Sequence, residues 1–209
     1  QVDEFARLAA EIVPARYPQL DSPDYTSIID RRSFDRLVGA LKDARKRGAT
    51  VINLLPDGPE TNRKARRIAP HLVLDAPPDC ELMQREIFGP ILPVVAYDTL
   101  DDVIARINSG PRPLALYPFS HDNARIERLL THVMSGGVSI NDALFHVGQH
   151  DLPFGGIGES GMGHYHGREG FQTFSKLRPI FHQARLSSVG LLAPPYGRLA
   201  ERMLAFLMR

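Results

Sequence analysis

The chain has 209 residues, of which 43% are hydrophobic and 23% charged, and its formal net charge is +1. This composition is typical of globular proteins and argues against wholesale disorder. The balanced charge gives no reason to expect broad electrostatic binding to nucleic acid, and no apolar run approaches the roughly 20 residues that span a bilayer. The single cysteine excludes an intramolecular disulfide and a cysteine-based zinc site. Because no signal peptide is visible, we expect a cytoplasmic location.

The first residues have the pattern of a helix that is already under way. Phe5, Leu8, Ala9 and Ile12 recur on one helical face. Since the chain starts inside this pattern and without methionine, we expect it to be an excised part of a longer protein. A processed mature protein is the alternative, although no signal remnant supports it.

The rest of the chain alternates between helical and strand patterns. A second helix is predicted from a cap at Ser33 to the stop signal Lys46-Arg47-Gly48. In chain order, strands are predicted at 50–54, 71–74, 93–97, 114–119, 137–141 and 178–182, and further helices at 101–108, 122–134 and 196–209. This order predicts an α/β fold, a three-layer αβα domain with a mainly parallel sheet and right-handed crossovers. We place that domain at residues 1–185 and a C-terminal tail at 186–209.

The densest local signal is the glycine-rich run at residues 155–163. Glycines allow backbone to approach a ligand closely, so a phosphate cradle is one interpretation. The run lacks the Lys-Ser/Thr pair of a P-loop and no clear strand-to-helix turn frames it. We therefore favour a tightly packed structural loop.

Four histidines near this loop suggest a metal hypothesis. His146 and His150 are four residues apart, and His164 and His166 follow the glycines. Zinc needs three or four ligands in one place, supported by partners that orient them. Because His146 and His150 fall in an apparent loop, no shared helical face brings them together. We predict no metal site.

Cys80 is a weak candidate nucleophile. Its neighbours Asp79 and Glu81 are carboxylates and no base stands beside it. Neighbouring negative charge disfavours a thiolate, which is the reactive form. We predict an inert thiol.

The segment Glu86-Ile87-Phe88-Gly89-Pro90 has suggestive chemistry. A carboxylate can accept hydrogen bonds from both hydroxyls of a ribose, and an aromatic side chain two residues later can pack on a flat ring. Taken alone, the segment is better explained as an ordinary helix-to-strand junction.

Three motifs occur in a fixed order: Glu86-Ile87-Phe88-Gly89-Pro90, Ser139-Ile140-Asn141-Asp142, and Leu152-Pro153-Phe154-Gly155-Gly156-Ile157-Gly158-Glu159-Ser160-Gly161-Met162-Gly163. In this order the chain resembles the NAD(P)-dependent aldehyde dehydrogenases over nearly its whole length. The later motifs Tyr165-His166-Gly167, Phe171, Phe174-Ser175 and Arg178-Pro179 resemble the class 3 branch. The segment Pro77-Pro78-Asp79-Cys80, together with Gln183 and Ala184, is similar to bacterial coniferyl aldehyde dehydrogenases.

The resemblance implies a reaction and a cofactor, NAD or NADP. A cysteine thiolate attacks the aldehyde, hydride passes to the nicotinamide, and a glutamate-activated water hydrolyses the thioester to a carboxylic acid. The implied substrate is an aromatic aldehyde, such as coniferyl aldehyde, or a medium-chain one.

The resemblance also assigns expected roles to residues of this chain. Glu86 would hold the nicotinamide ribose, Phe88 would pack beside the nicotinamide, and Phe154 would line the aldehyde pocket. Asn141, Gly155 and Gly156 would shape the backbone around that site. The family's nucleophilic cysteine and general-base glutamate would lie upstream of Gln1, so we expect no catalytic residue in this chain and no activity from it alone.

The family resemblance implies a homodimer, with the tail helix at the contact. Leu199, Met203, Leu204 and Leu207 form an apolar stripe that we expect to meet protein. A membrane-surface helix, to which Arg198, Arg202 and Arg209 would add positive charge, is the less favoured alternative. A rival of another class is a non-enzymatic oligomerisation or regulatory module that reuses the fold.

Overall fold

The computed structural model describes residues 1–187, 190 and 194–208. Within them the chain packs into two compact units, Gln1–Val103 and Ile104–Arg209. The helices are α1 (Val2–Arg16), α2 (Arg31–Lys46), α3 (Glu81–Gln84), α4 (Leu100–Ser109), α5 (Asn123–His132), α6 (Gly167–Thr173) and α7 (Arg198–Leu207). The strands are β1 (Thr50–Asn53), β2 (Thr61–Asn62), β3 (Arg67–Ile68), β4 (His71–Leu74), β5 (Ile91–Val94), β6 (Ala115–Leu116) and β7 (Gly137–Val138). The predicted division at residue 185 is a different boundary and stays a prediction.

The strands of the first unit run in mixed directions. Its three-stranded sheet has the order β1-β4-β5, in which β1 is antiparallel and β5 parallel to β4. The chain returns from β1 to β4 through the antiparallel hairpin of β2 and β3, whereas a parallel pairing needs a crossover. The α/β class is therefore as predicted, but the described sheets are small and mixed instead of one mainly parallel sheet.

Helix α2 supplies one side of the core of the first unit. Its buried residues recur with helical spacing and are Phe34, Leu37, Ala40, Leu41 and Ala44. They pack against buried side chains from strands β3, β4 and β5 and from α3, including Ile68, Val73, Leu82 and Ile91. The predicted Ser33 cap is wrong. Asp30 is extended, precedes the helix and accepts a hydrogen bond from the Ser33 N–H at 2.6 Å, so it is the cap.

The second unit contains one β-α-β element. Strand β6 pairs in parallel with β7, and α5 connects them, capped by the Asp122 carboxylate. Both strands are shorter than predicted. The predicted strand at 178–182 is wrong, since these residues have no regular secondary structure, and the one predicted at 93–97 is the strand Ile91–Val94.

Both terminal helices keep exposed apolar side chains. Phe5, Leu8 and Ile12 of α1 are exposed, and so are Leu199 and Leu204 of α7, which lies inside the predicted helix 196–209. Arg209 lies outside the described residues. No helix in the described part of the chain is long and apolar enough to cross a membrane.

Candidate cofactor and substrate sites

The segment that carries Glu86 and Phe88 connects α3 to β5 in the first unit. Both side chains are exposed and line one cleft of about 610 Å³. Phe88 is 78% exposed and has a φ of 49°, a left-handed conformation that is rare for a bulky side chain. Such strain persists only where the surroundings enforce it, and it concentrates at functional sites.

Helix α2 enforces this conformation on both sides of Phe88. The Arg36 guanidinium donates a hydrogen bond to the Ile87 carbonyl at 2.6 Å. Gly89 lies so close to α2 that a Cβ there would be 2.5 Å from Cδ1 of Leu37. The turn is therefore fixed by its contacts with α2, and the glycine of the motif is required by packing.

Two arginines that the sequence did not single out line the same cleft, Arg36 and Arg85. Arg85 directly precedes Glu86, so its place next to the site could have been expected. Arg36 comes from α2, far away in sequence, and no local pattern indicated it. Together the cleft offers an acceptor carboxylate, an exposed aromatic face and two cations, a set that suits a polar ligand with hydroxyl groups, a flat ring and negative charge.

Phe154 lies in the second unit within a cluster of aromatic rings. Its backbone exchanges hydrogen bonds with Tyr165, at 2.8 and 2.9 Å. Its ring is 5.3 Å from the Tyr165 ring, 5.9 Å from that of His166 and 6.0 Å from that of His146. Phe154 also lines an apolar pocket of about 330 Å³, which the glycine-rich loop and the end of α6 complete. The pocket suits an apolar or aromatic group.

The glycines after Phe154 leave no room for side chains. A Cβ on Gly155 would overlap the carbonyl oxygen of Gly163, and one on Gly156 would overlap that of Ser160. The loop thus closes tightly on its own backbone, the geometry of the structural loop that we favoured.

Asn141 braces the loop that follows β7. Its φ is 55°, and its side-chain amide bonds both ways to Ser120: Oδ1 accepts from the backbone N–H at 2.8 Å and Nδ2 donates to the carbonyl at 2.9 Å. Asparagine tolerates this left-handed conformation better than most residues. The structure therefore ties the chain after β7 to the chain after β6. The role of Asn141 near a substrate stays a prediction.

The remaining chemically active side chains of the sequence lie elsewhere. Cys80 is fully buried in the core of the first unit. The rings of His150 and His166 are 5.7 Å apart, while His146 is buried beside Ser139. Across residues 1–187, 190 and 194–208, no group of three or more His, Cys, Asp or Glu side chains could hold a metal ion.

An α/β fold with a few polar groups beside an open cleft is a common framework for binding a small molecule. Residues 2–180 match the family model described as "Aldehyde dehydrogenase family", and the chain belongs to this family. It is 47% identical over 204 residues to a "Probable coniferyl aldehyde dehydrogenase" of Pseudomonas aeruginosa, a match that covers 97% of this chain and 42% of the relative.

Solved structures agree with this assignment. The "Substrate bound state of Staphylococcus Aureus AldH" matches with a TM-score of 0.79 and 37% identity, covering 98% of this chain and 44% of that one. A Mycobacterium tuberculosis aldehyde dehydrogenase complexed with NAD+ matches with a TM-score of 0.64 and 27% identity, covering 77% of this chain and 33% of that one. The α/β fold class and the family resemblance are confirmed, and the chain spans less than half the length of these relatives.

Proposed function

We propose that this chain serves in the NAD(P)-dependent oxidation of an aldehyde to a carboxylic acid through a cysteine thioester. The observation that carries the proposal is the cleft beside Glu86 and Phe88, found in a chain that matches the aldehyde dehydrogenase family over residues 2–180. NAD+ in a related structure supports the choice of cofactor.

The cleft residues fit the nicotinamide half of such a cofactor. The exposed Glu86 carboxylate can accept hydrogen bonds from two ribose hydroxyls, and the exposed Phe88 ring can pack on the nicotinamide. Arg36 and Arg85 supply positive charge that can pair with the phosphates of the cofactor or with a carboxylate group of a ligand. When bound, the cofactor accepts the hydride; the chain's own residues hold it and orient it.

Phe154 is proposed to line the aldehyde pocket. The aromatic rings around it and the apolar pocket beside it favour a flat or medium-length apolar aldehyde. The name of the Pseudomonas relative, a probable coniferyl aldehyde dehydrogenase, supports an aromatic substrate.

The thioester is proposed to form on a cysteine other than Cys80. That side chain has no exposed surface and packs in the apolar core, where an aldehyde cannot reach it. We therefore expect no dehydrogenase activity from the 209-residue chain alone.

The test uses coniferyl aldehyde and benzaldehyde with NAD or NADP, and follows the reduced cofactor by absorbance. Two proteins are compared: this chain, and the product of the longest reading frame that contains it. Activity of the longer protein that survives Cys80→Ser supports the proposal. Turnover by this chain that Cys80→Ser abolishes would refute it.

A second variant tests the cofactor cleft. Glu86→Gln removes the charge that strengthens two hydrogen bonds, so we expect the KM for the cofactor to rise about tenfold or more. Glu81→Gln is the matched control, because Glu81 lies on α3 outside the cleft residues. An equal effect of both substitutions would show that Glu86 has no special place in cofactor binding.

We also propose a cytoplasmic homodimer in which α7 packs against protein. Its exposed Leu199 and Leu204 support a contact of this kind. Light scattering should show a dimer for the wild type and loss of the dimer for Leu204→Asp. Binding of the unaltered helix to anionic vesicles would favour the membrane alternative instead.

A further inference from the structure

We propose that His146 is a positioning residue that fixes the ring of Phe154 and thereby sets the preference for aromatic over short aldehydes. The inference rests on the proposed function, since it takes Phe154 to line the aldehyde pocket. It starts from a buried polar pair that the reaction itself does not use, Ser139 and His146, which are 9% and 8% exposed.

The His146 ring is held from two directions. Its Nδ1 lies 3.1 Å from Oγ of Ser139, the residue that follows β7, and the same oxygen accepts a bond from the His146 backbone N–H at 3.3 Å. On its other side the ring packs against the backbone of Gly137, where a Cβ would lie 2.5 Å from Cδ2 and 2.8 Å from Nε2 of His146. Only glycine at this position leaves room for the ring.

The bond to Ser139 uses one ring nitrogen of His146 and leaves the other unpaired. The Ser139 hydroxyl has one proton and two lone pairs, so beside the His146 backbone N–H it can either donate to Nδ1 or accept from it. In either tautomer Nε2 is buried without a hydrogen-bond partner among the described residues. A phenylalanine would avoid that unpaired group. The imidazole therefore gains the hydrogen bond to Ser139 but leaves one buried nitrogen without a partner, which a phenylalanine would not do.

The fixed imidazole contacts the ring that the pocket needs. Its centroid is 6.0 Å from that of Phe154 and 5.7 Å from that of Tyr117. Tyr165 and His166 pack on other parts of the Phe154 ring. Of these neighbours, His146 is the one tied by its own side chain to the end of β7. It thus connects a strand of the unit to the wall of the pocket.

The proposal predicts an effect on substrate binding that depends on substrate shape. In the longer protein, Ser139→Ala and His146→Phe should raise the KM for benzaldehyde about tenfold while kcat stays within about twofold. The KM for acetaldehyde should not change, because a small aldehyde does not need the aromatic wall. Ser139→Thr, which keeps the hydroxyl, should behave as the wild type does. His121→Phe, at an exposed position, is the control.

A second readout does not depend on turnover. In the 209-residue chain labelled at histidine and phenylalanine, nuclear magnetic resonance should show that the Nδ1 signal of His146 moves in Ser139→Ala, because the bond to the hydroxyl is lost. Benzyl alcohol, used as a non-reacting probe, should shift the Phe154 ring signals, with about tenfold weaker binding in Ser139→Ala. If no aldehyde is oxidised, the proposed function fails while this titration still decides the role of His146. Unchanged probe binding in Ser139→Ala, an unchanged His146 Nδ1 signal in that variant, or equal KM changes for all aldehydes would overturn the role proposed for His146.

Discussion

Gly89→Ala should destabilise the first unit although the substitution adds only one methyl group at a surface turn. The new Cβ would lie 2.5 Å from Cδ1 and 3.3 Å from Cδ2 of Leu37. Leu37 has no exposed surface and is enclosed by the core, so its side chain has no free space to move into. Overpacking of this kind costs about 1–3 kcal/mol in the free energy of unfolding.

A double-mutant cycle isolates this contact. Leu37→Ala alone creates a cavity and should cost about 2–5 kcal/mol. In that background the methyl group added at position 89 enters vacated space, so Gly89→Ala should be nearly neutral and the coupling should equal the overpacking cost, about 1–3 kcal/mol. Gly39→Ala is the control on the same helix: nothing lies within 4 Å of its Cβ, and better helix propensity should stabilise the unit by about 0.5–1 kcal/mol.

The assay is urea unfolding followed by circular dichroism, with hydrogen exchange of the α2 amides to report on the first unit alone. If Gly89→Ala is neutral in the wild-type background, the packing argument for the motif glycine is refuted. Additivity of the two substitutions within about 0.5 kcal/mol would refute it as well.

Three further predictions concern other contacts. Burial raises the pKa of Tyr25 from 10 to about 12, so stability should be intact below pH 10 and fall as the pH rises towards 12; Tyr25→Phe should remove that alkaline loss in a pH series of urea midpoints. The Arg45 hydrogen bond is the main cause of the lowered pKa of Glu60, so Arg45→Met should raise this pKa in a carboxyl-carbon titration. The wild type has the stabilisation from this contact above pH 4.5 and loses it as the pH falls further, whereas Arg45→Met should lack it at every pH. Gly155→Ala should cost about 2 kcal/mol or more, because its Cβ overlaps a backbone carbonyl, whereas Gly148→Ala, with nothing closer than 3.8 Å, should stay within about 0.5 kcal/mol by thermal unfolding.

Local patterns predicted the elements whose cause is local. The helix α2 has its apolar residues at the predicted spacing, and the β6-α5-β7 element lies where strand and helix patterns alternate. The cap of α2 was misplaced because Asp30 and Ser33 are both good capping residues, and only the extended backbone at Asp30 distinguishes them.

Features set by distant contacts could not be predicted. The antiparallel pairing of β1 with β4 depends on the small hairpin between them, whose strands are too short to give a pattern. The short apolar run at 179–181 occurs in strands and in exposed chain alike, so the pattern alone could not decide its structure. The motif alone placed Glu86 and Phe88 together as candidate site residues. The contact of Arg36 with Ile87 joins residues far apart in sequence, so no local pattern could predict it.

The strained backbone of Phe88 leads to a last prediction, in which stability and function change in opposite directions. A left-handed conformation costs a non-glycine residue about 1–2 kcal/mol, and the 78% exposed ring recovers little of this by burial. Phe88→Gly should relieve the strain, offset by about 0.5–1 kcal/mol from the greater freedom of glycine in the unfolded chain. The net effect in urea unfolding should therefore lie between neutral and about 1.5 kcal/mol of stabilisation.

The same substitution should weaken cofactor binding, because the aromatic face is lost. Phe88→Leu is the matched variant: it loses the ring but keeps the Cβ and the strain, so it should weaken cofactor binding with no gain in stability. Clear destabilisation by Phe88→Gly would mean that the ring contributes to folding and that its conformation is not maintained for a ligand. If Phe88→Gly is at least as stable as the wild type and both variants raise the KM for the cofactor, the strained turn exists to present the ring, and α2 provides the packing that holds it there.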